Sequence, residues 1–319
     1  MKPQMSKVKV QRAILHFVIC ILTFGCTPQQ QSYTPSAHPR AAVALGDTAL
    51  VAADDTILPL KIWLPKHRPR AVIVALHGFN DYSNAFQGTG AFFKAHGVAV
   101  VAYDQRGFGR SPQRGLWANE NNLTSDVAQC VKQVSRRWPR TPIYILGESM
   151  GGAVAIAALA NPAFKVQGVI LSAPAVWGGG TMNPLTRGTL WLAAHTLPFY
   201  TLSGRELHIM ASNNIPMLRR LSADPLVIKR TRIDAIYGMV QLMDDAYAGI
   251  PDVKTPVLLL YGAQDQVIPR RPLEAARARF SLPIEFIYYP DGYHMLLRDL
   301  QGETVMRDIL GWMQASQKK

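Results

Sequence analysis

The sequence predicts an α/β fold, in which a doubly wound and mostly parallel sheet carries an inserted helical lid. Short, continuously apolar segments, typical of strands buried on both faces, alternate with segments of helical periodicity. Strands and helices that alternate in this way connect by right-handed crossovers and so build a parallel sheet. The alternation stops after Pro174 and resumes at Val257, which indicates an insertion between two core strands.

The expected elements follow the chain in order. Residues 49–53 and 58–64 flank a turn at 54–56, which predicts an antiparallel hairpin. Buried strands are expected at 71–76, 98–103, 143–146, 169–172, 257–261 and 284–289. Helices are expected at 85–96, 123–138, 272–280 and 302–313.

The insertion at 176–250 has no clear buried strand and is rich in apolar and aromatic side chains. Helical spacing over 233–247 predicts a helical subdomain with a core of its own. Its place in the chain also favours a lid whose inner face is apolar because the substrate is apolar. The sheet and its helices then occupy 43–175 and 251–319.

The composition is that of a globular protein, with 48% hydrophobic and 17% charged residues among 319. The net charge is +13, but the positive residues are scattered rather than gathered in one basic stripe with aromatics. We therefore expect no nucleic-acid partner. Two uses of the charge stay open, a face toward anionic lipid headgroups and general solubility.

The first 25 residues have the pattern of a secretory signal peptide, with a basic start followed by an apolar stretch at 13–25. As a helix that stretch reaches about 20 Å, short of the ~30 Å hydrocarbon core, so a permanent span is not expected. Residues 26–42 are rich in Gln, Ser and Pro and predict a flexible tether. Cys130 lies on a helical pattern and is expected to be buried, without a disulfide.

Ser149 is the first residue for which the sequence predicts a catalytic role. An apolar strand stops at Gly147, Ser149 stands in a glycine-flanked turn, and an Ala-rich helical run follows at once. Gly147 and Gly151 stand where a Cβ would collide with the neighbouring strand and helix. This strand–turn–helix arrangement exposes a serine Oγ as a nucleophile, and the helix N-terminus directs free N–H groups toward it.

A serine nucleophile needs a histidine base and an acid that orients the base. In doubly wound hydrolases the chain order is Ser, then Asp or Glu, then His. Of the eight histidines, His294 alone follows the last predicted strand. Asp265 comes just after the strand at 257–261, at a carboxyl-end loop. Asp291 competes, but it lies three residues from His294 in the same loop.

The oxyanion of an acyl-transfer reaction needs two N–H donors, each worth roughly 3–4 kcal/mol. We expect one from the backbone of Met150, directly after the nucleophile, and the other from the loop that follows the strand at 71–76. In that loop we assign the backbone N–H of Phe79.

At these residues the chain resembles the monoacylglycerol lipase and lysophospholipase branch of the α/β-hydrolases. The similar segments are His77-Gly78, Tyr103-Asp-Gln-Arg-Gly-Phe-Gly-Arg-Ser111, Gly147-Glu-Ser-Met-Gly-Gly152, Gly262-Ala-Gln-Asp265 and His294. The resemblance implies hydrolysis of a carboxylic ester through an acyl-enzyme, with a lid over a lipid-like acyl pocket and with neither metal nor organic cofactor. Asn80-Asp81-Tyr82 and the bulky Phe79 depart from the branch.

A second resemblance concerns the end of the signal segment, Leu22-Thr23-Phe24-Gly25-Cys26. It is similar to the lipobox of bacterial lipoproteins, although Thr23 stands in place of the usual Leu. The resemblance implies cleavage before Cys26, a diacylglyceryl group on its sulfur, and a membrane surface as partner. Thr27 is not acidic, which favours the outer membrane over the inner. An ordinary signal peptide cut at the same bond is the alternative.

The sequence therefore predicts an exported, lipid-anchored serine esterase of monoacyl lipids or similar esters. Ser149, His294 and Asp265 would be catalytic. An aminopeptidase- or amidase-like hydrolase of the same fold is the first alternative, with Asp244-Asp245 as the candidate site for a substrate amine. The second is a non-catalytic envelope protein that binds lipid or a partner.

Overall fold

The computed structural model describes residues 27–31, 45–177, 180, 182–204 and 209–317. The predicted signal peptide, Cys26 and most of the predicted tether lie outside the described residues. Among the described residues, no helix is both long and apolar enough to cross a membrane.

The strands are β1 (Gln30–Gln31), β2 (Ala49–Val51), β3 (Ile57–Trp63), β4 (Ala71–Leu76), β5 (Val98–Tyr103), β6 (Trp117–Ala118), β7 (Ile143–Glu148), β8 (Gly168–Ser172), β9 (Thr201–Leu202), β10 (Thr231–Arg232), β11 (Val257–Gly262) and β12 (Glu285–Tyr289). The α-helices are α1 (Gln87–Ala95), α2 (Glu120–Arg137), α3 (Met150–Leu159), α4 (Pro184–Thr196), α5 (Ile215–Ala223), α6 (Ile233–Gly249), α7 (Arg270–Arg277) and α8 (Gly302–Ser316). Short 3₁₀ helices lie at Ser83–Phe86, Ile250–Asp252 and Leu296–Arg298.

A central sheet of eight strands has the order β12-β11-β8-β7-β4-β5-β3-β2 in the described part of the chain. The strands from β12 to β5 pair in parallel, while β3 and β2 are antiparallel. The predicted doubly wound, mostly parallel sheet is confirmed. Its strand order places β8 between β7 and β11, so the loops that follow these strands meet at one edge.

The sheet is buried on both faces because its inner parallel strands are almost entirely apolar, with Glu148 and Ser172 at the carboxyl ends of β7 and β8 as polar exceptions. In β4, Val72 and Val74 pack in one core, while Ile73 and Ala75 pack in the other. Helices α2, α3 and α6 cover the first face, and α1 and α8 cover the second. Cys130 lies on the buried face of α2 and is fully buried, as its helical position predicts.

Some helices and strands begin or end a few residues away from their predicted bounds, and the structure shows why. Helix α2 begins three residues before its predicted start, since the Asn119 side chain accepts a hydrogen bond from Asn122 N and caps the helix. Strand β7 extends to Glu148 because its pairing with β8 continues to Ser172.

The insertion between β8 and β11, called the cap below (residues 176–250), contains α4, α5, α6 and the strand pair β9–β10. Helix α6 buries Met239 and Met243 against the core. Many other apolar side chains of the cap are exposed. Of fourteen exposed large apolar side chains in the described residues, ten lie in the cap, at Leu185, Trp191, Leu192, Leu197, Phe199, Tyr200, Leu202, Ile209, Met210 and Ile215.

The described part of the predicted tether is not free of the domain. Gln30 and Gln31 form β1, which pairs in parallel with Trp117 and Ala118 of β6. The buried Gln31 side chain donates to the Leu116 carbonyl at 2.9 Å, and Gln29 N donates to Asp234 of α6 at 3.3 Å. A polar, Gln-rich segment can dock in this way because its amides satisfy the groups it covers, a possibility that composition alone does not reveal.

Candidate active site

Ser149 lies at the apex of the turn between β7 and α3, with φ 54° and ψ −115°. A positive φ strains a residue with a side chain and persists only where the surroundings hold it. Here Ser149 N donates to Ser172 O at 3.0 Å, and Ser149 O accepts from Gly152 N and Ala175 N, each at 2.9 Å. These bonds to β8 and α3 fix the turn that presents the Oγ.

Gly147 and Gly151 flank Ser149 at positions where the backbone leaves no room for a Cβ. A Cβ on Gly151 would overlap the carbonyl oxygen of Leu76 in β4, and a Cβ on Gly147 would lie 2.5 Å from Gly151 O. Gly78 lies against the nucleophile, since a Cβ there would come within 3.5 Å of Ser149 Cβ. The loop after β4 therefore touches the serine turn.

His294 and Asp265 come together from the loops after β12 and β11. His294 Nδ1 is 2.9 Å from Asp265 Oδ2, and the Asp265 side chain is fully buried. The other carboxylate oxygen accepts from Val267 N at 2.7 Å and Ile268 N at 2.9 Å. An ionised carboxylate only accepts, so Nδ1 carries the proton and Nε2 keeps a free lone pair. The competing Asp291 binds Gln301 through its backbone carbonyl.

The two candidate oxyanion donors are the backbone N–H groups of Phe79 and Met150. In the described part of the chain, neither Phe79 N nor Met150 N donates to another protein group. The loop of Phe79 is held by His77, whose Nδ1 donates to Gly78 O at 2.9 Å while Nε2 accepts from Gln105 N at 2.9 Å. Complete burial lowers the pKa of His77, which keeps the ring neutral, as this hydrogen-bond pattern requires.

An ion cluster that the sequence reasoning missed lies beside these loops. Arg298 donates through Nη1 to Asp81 Oδ2 at 2.7 Å and through Nη2 to Glu148 Oε1 at 2.5 Å. All three side chains are almost entirely buried. Asp81 and Glu148 each stand within two residues of a predicted site residue. That adjacency was the available signal, but no local pattern points to Arg298.

The cap is attached to both active-site loops. Near His294, Ala211 O accepts from Met295 N at 2.9 Å and Ser212 Oγ donates to Asp299 at 2.6 Å. In the loop of Phe79, Tyr82 OH donates to Asp224 Oδ2 at 2.7 Å. These bonds join the cap to the loop of His294 and to the loop of Phe79.

Ser149 is 9% exposed and His294 5%. Phe79 packs edge-on against Phe108 and Trp117, with ring centroids 5.7 and 6.0 Å away. The aromatic contacts place apolar surface beside the residue assigned to the oxyanion.

Two further predicted features lie elsewhere. Asp244 faces Gly180 N at 3.3 Å and Arg187 at 3.8 Å, while Asp245 is hydrogen-bonded to Glu120. Both carboxylates are therefore occupied by neighbours. No group of three or more His, Cys, Asp or Glu side chains is arranged to hold a metal ion in the described ranges.

Comparison with known proteins gives one family match and several full-length relatives. A family profile described as "Serine aminopeptidase, S33" matches residues 67–301. The chain is 28% identical to the monoglyceride lipase of Mus musculus over 302 residues, which covers 90% of this chain and 93% of the relative. It is 24% identical to the monoacylglycerol lipase of Mycolicibacterium smegmatis, covering 79% and 91%.

Solved structures with the same fold include two lipases of monoacylglycerols. The Paleococcus ferrophilus monoacylglycerol lipase superimposes with a TM-score of 0.67 at 21% identity, covering 81% of this chain and 99% of that one. A soluble variant of Saccharomyces cerevisiae monoglyceride lipase, in complex with a substrate analogue, gives 0.71 at 19% identity, covering 91% and 98%. These structures match the sheet and its flanking helices.

Proposed function

The chain belongs to the serine aminopeptidase S33 family of α/β-hydrolases and is a serine hydrolase of carboxylic esters with lipid-like substrates; on that premise, we propose that it cleaves monoacylglycerols or lysophospholipids through an acyl-enzyme on Ser149. The observation that carries the proposal is the His294–Asp265 hydrogen bond, which leaves His294 Nε2 as a free base. The matched lipases of monoacylglycerols support the substrate class.

In the acylation half, Ser149 Oγ attacks the ester carbonyl carbon while His294 Nε2 accepts the hydroxyl proton. The imidazolium that forms is stabilised by Asp265. The N–H groups of Phe79 and Met150 bind the oxyanion of the tetrahedral intermediate. The intermediate collapses when the bond to the alcohol oxygen breaks and His294 gives its proton to that oxygen. The products are the free alcohol and an ester on Ser149.

In the deacylation half, His294 Nε2 accepts a proton from water as the water oxygen attacks the acyl carbon. The second tetrahedral intermediate uses the same two N–H donors. Its collapse breaks the bond to Ser149 Oγ, which takes the proton back from His294. A fatty acid leaves and the serine is restored.

The aminopeptidase alternative is favoured by the family description alone. An amine subsite needs carboxylates free to meet the substrate. Glu120, Arg187 and Gly180 N already engage the candidate pair Asp244-Asp245. Ester hydrolysis is therefore the better-supported chemistry.

The test is a set of initial rates on p-nitrophenyl esters from acetate to palmitate, beside monoacylglycerol, lysophospholipid and an aminoacyl anilide. A medium- or long-chain optimum with turnover of monoacylglycerol or lysophospholipid supports the proposal. An acetate optimum contradicts the lipid substrate. Cleavage of the anilide alone gives the function to the aminopeptidase alternative.

We also propose that the protein is exported and anchored through a lipid on Cys26 to the bacterial outer membrane. Two features of the cap support a membrane contact. Its ten exposed apolar side chains accompany seven Lys and Arg residues and two acids in the sequence of 182–232, a balance suited to anionic lipid. Strand β1 also starts four residues after Cys26, and Gln29, which precedes it, donates to Asp234 of the cap.

Mass spectrometry of the mature N-terminus tests the anchor. A diacylglyceryl group on Cys26 is expected. An unmodified cysteine at the new terminus would identify an ordinary signal peptide and would contradict the lipid anchor.

A further inference from the structure

Three active-site loops meet at one buried guanidinium, that of Arg298. Asp81 belongs to the loop of Phe79, Glu148 is the residue before Ser149, and Arg298 stands four residues after His294. Its two Nη atoms donate to one carboxylate on each of the other loops. A lysine ammonium is a compact point charge, whereas the planar fork of arginine suits two acceptors held at fixed directions.

Each carboxylate is itself tied to the part of the site that it adjoins. Asp81 Oδ1 accepts from Tyr82 N at 2.8 Å, and Asp81 N donates to Gly78 O at 3.2 Å. Glu148 is the last residue of β7 and pairs in register with Ser172, whose carbonyl accepts from Ser149 N. A shift of the guanidinium is thereby transmitted to the oxyanion loop and to the serine turn.

Stability alone does not account for the cluster. Replacement of a buried ion pair by apolar groups of similar volume is often neutral or stabilising. In the described part of the chain, Arg298 Nε and Glu148 Oε2 are buried without a hydrogen-bond partner, an arrangement that costs free energy. Burial by itself lowers the pKa of Arg298, but the charges of Glu148 and Asp81 outweigh it and raise that pKa, so the cation persists.

We propose that Arg298 is a positioning residue, which fixes the loops of Phe79, Ser149 and His294 relative to one another without touching the substrate. The inference rests on the proposed function and adds to it a role for Arg298, Asp81 and Glu148. Misplacement of catalytic groups by about 1 Å costs on the order of 100-fold in rate. Loss of Arg298 is therefore expected to lower kcat and to leave KM nearly unchanged.

The experiment compares Arg298→Met with the charge-free triple variant Arg298→Met, Asp81→Asn, Glu148→Gln. The single variant leaves two buried carboxylates unpaired and is expected to lose thermal stability. The triple variant removes those charges and is expected to regain the wild-type melting temperature. Its kcat is nevertheless expected to stay about 30- to 100-fold below wild type, with KM within about threefold. Arg307→Met, in an exposed pair with Glu303, is the matched control and should match wild type.

Hydrogen exchange supplies a readout that does not depend on activity. Backbone amides of residues 77–82, 148–151 and 293–299 should exchange faster in the triple variant than in wild type, with α8 unchanged. If wild type hydrolyses no ester but this pattern appears, the proposed function fails and the loop-fixing role of Arg298 stands. A triple variant with wild-type kcat, or with unchanged exchange in the three loops, would overturn the inference.

Discussion

The imidazole of His294 and the carboxylate of Asp265 are joined by a 2.9 Å hydrogen bond between Nδ1 and Oδ2, although 28 residues separate them in the chain. Two backbone N–H groups hold the other carboxylate oxygen, so the bond fixes both the ring and its tautomer. An amide in place of the carboxylate could present N–H to Nδ1 and move the ring proton to Nε2.

Asp265→Asn should therefore lower kcat for ester hydrolysis by roughly 10³- to 10⁴-fold, because the base would be in the wrong tautomer. Steady-state kinetics on one ester measure this loss of kcat. Asp291→Asn is the matched control, since its exposed side chain belongs to the same loop as His294. An Asp291→Asn loss as large as that of Asp265→Asn would contradict the assignment.

Gly151→Ala should destabilise the fold by about 3 kcal/mol or more. The added Cβ overlaps the Leu76 carbonyl, which belongs to a strand at the centre of the sheet and cannot move aside. Gly311→Ala in α8 is the control, because a Cβ there meets nothing within 4 Å. Denaturant unfolding should place the control at or above wild-type stability, and equal losses for both variants would refute the packing argument.

Arg106→Leu should destabilise the protein by about 3–5 kcal/mol. The guanidinium binds Asp126 at 2.7 Å and Asp54 at 2.7 Å, and all three side chains are at most 7% exposed. Without Arg106, two carboxylates stay buried together on the hairpin and on α2. Chemical denaturation measures the loss. If the free energy of unfolding changed by less than about 0.5 kcal/mol, the size expected for an exposed pair, the cluster would not be stabilising the fold.

Glu120 is predicted to make the stability of the folded protein depend on pH. Burial, then the hydrogen bond and charge of Asp245, raises the pKa of Glu120 from an ordinary 4.5 to about 7. The folded state thus binds more protons than the unfolded state between these values, so stability falls as pH rises from 4.5 to 7. Glu120→Gln should flatten that fall by about 1 kcal/mol, reduced because the group is half exposed. Parallel stability curves for the two proteins would contradict the shift.

The sheet and the serine turn could be predicted because their signals are local. A fully buried parallel strand must be apolar throughout, and the glycines at 147 and 151 mark places where the backbone leaves no room for a Cβ. Chain order and the places of the predicted strands then selected His294 and Asp265, the pair that the structure joins by a hydrogen bond.

Other features depend on contacts between distant segments. Arg298 lies 217 residues from Asp81 and 150 from Glu148, and no periodicity links them. The pairing of β1 with β6 likewise joins two very short segments, the polar Gln30–Gln31 and the apolar Trp117–Ala118. The exposure of ten large apolar side chains in the cap could not be predicted either, because composition shows how many apolar residues a helix has and not which of them its neighbours cover.

The most direct test of the account is labelling by a fluorophosphonate, followed by peptide mapping, on wild type and Ser149→Ala. One peptide is expected to carry the label, the modified residue is expected to be Ser149, and the folded Ser149→Ala variant should take up none. A well-folded wild type that stays unlabelled, or a label that persists in Ser149→Ala, would contradict an acyl-enzyme at this serine.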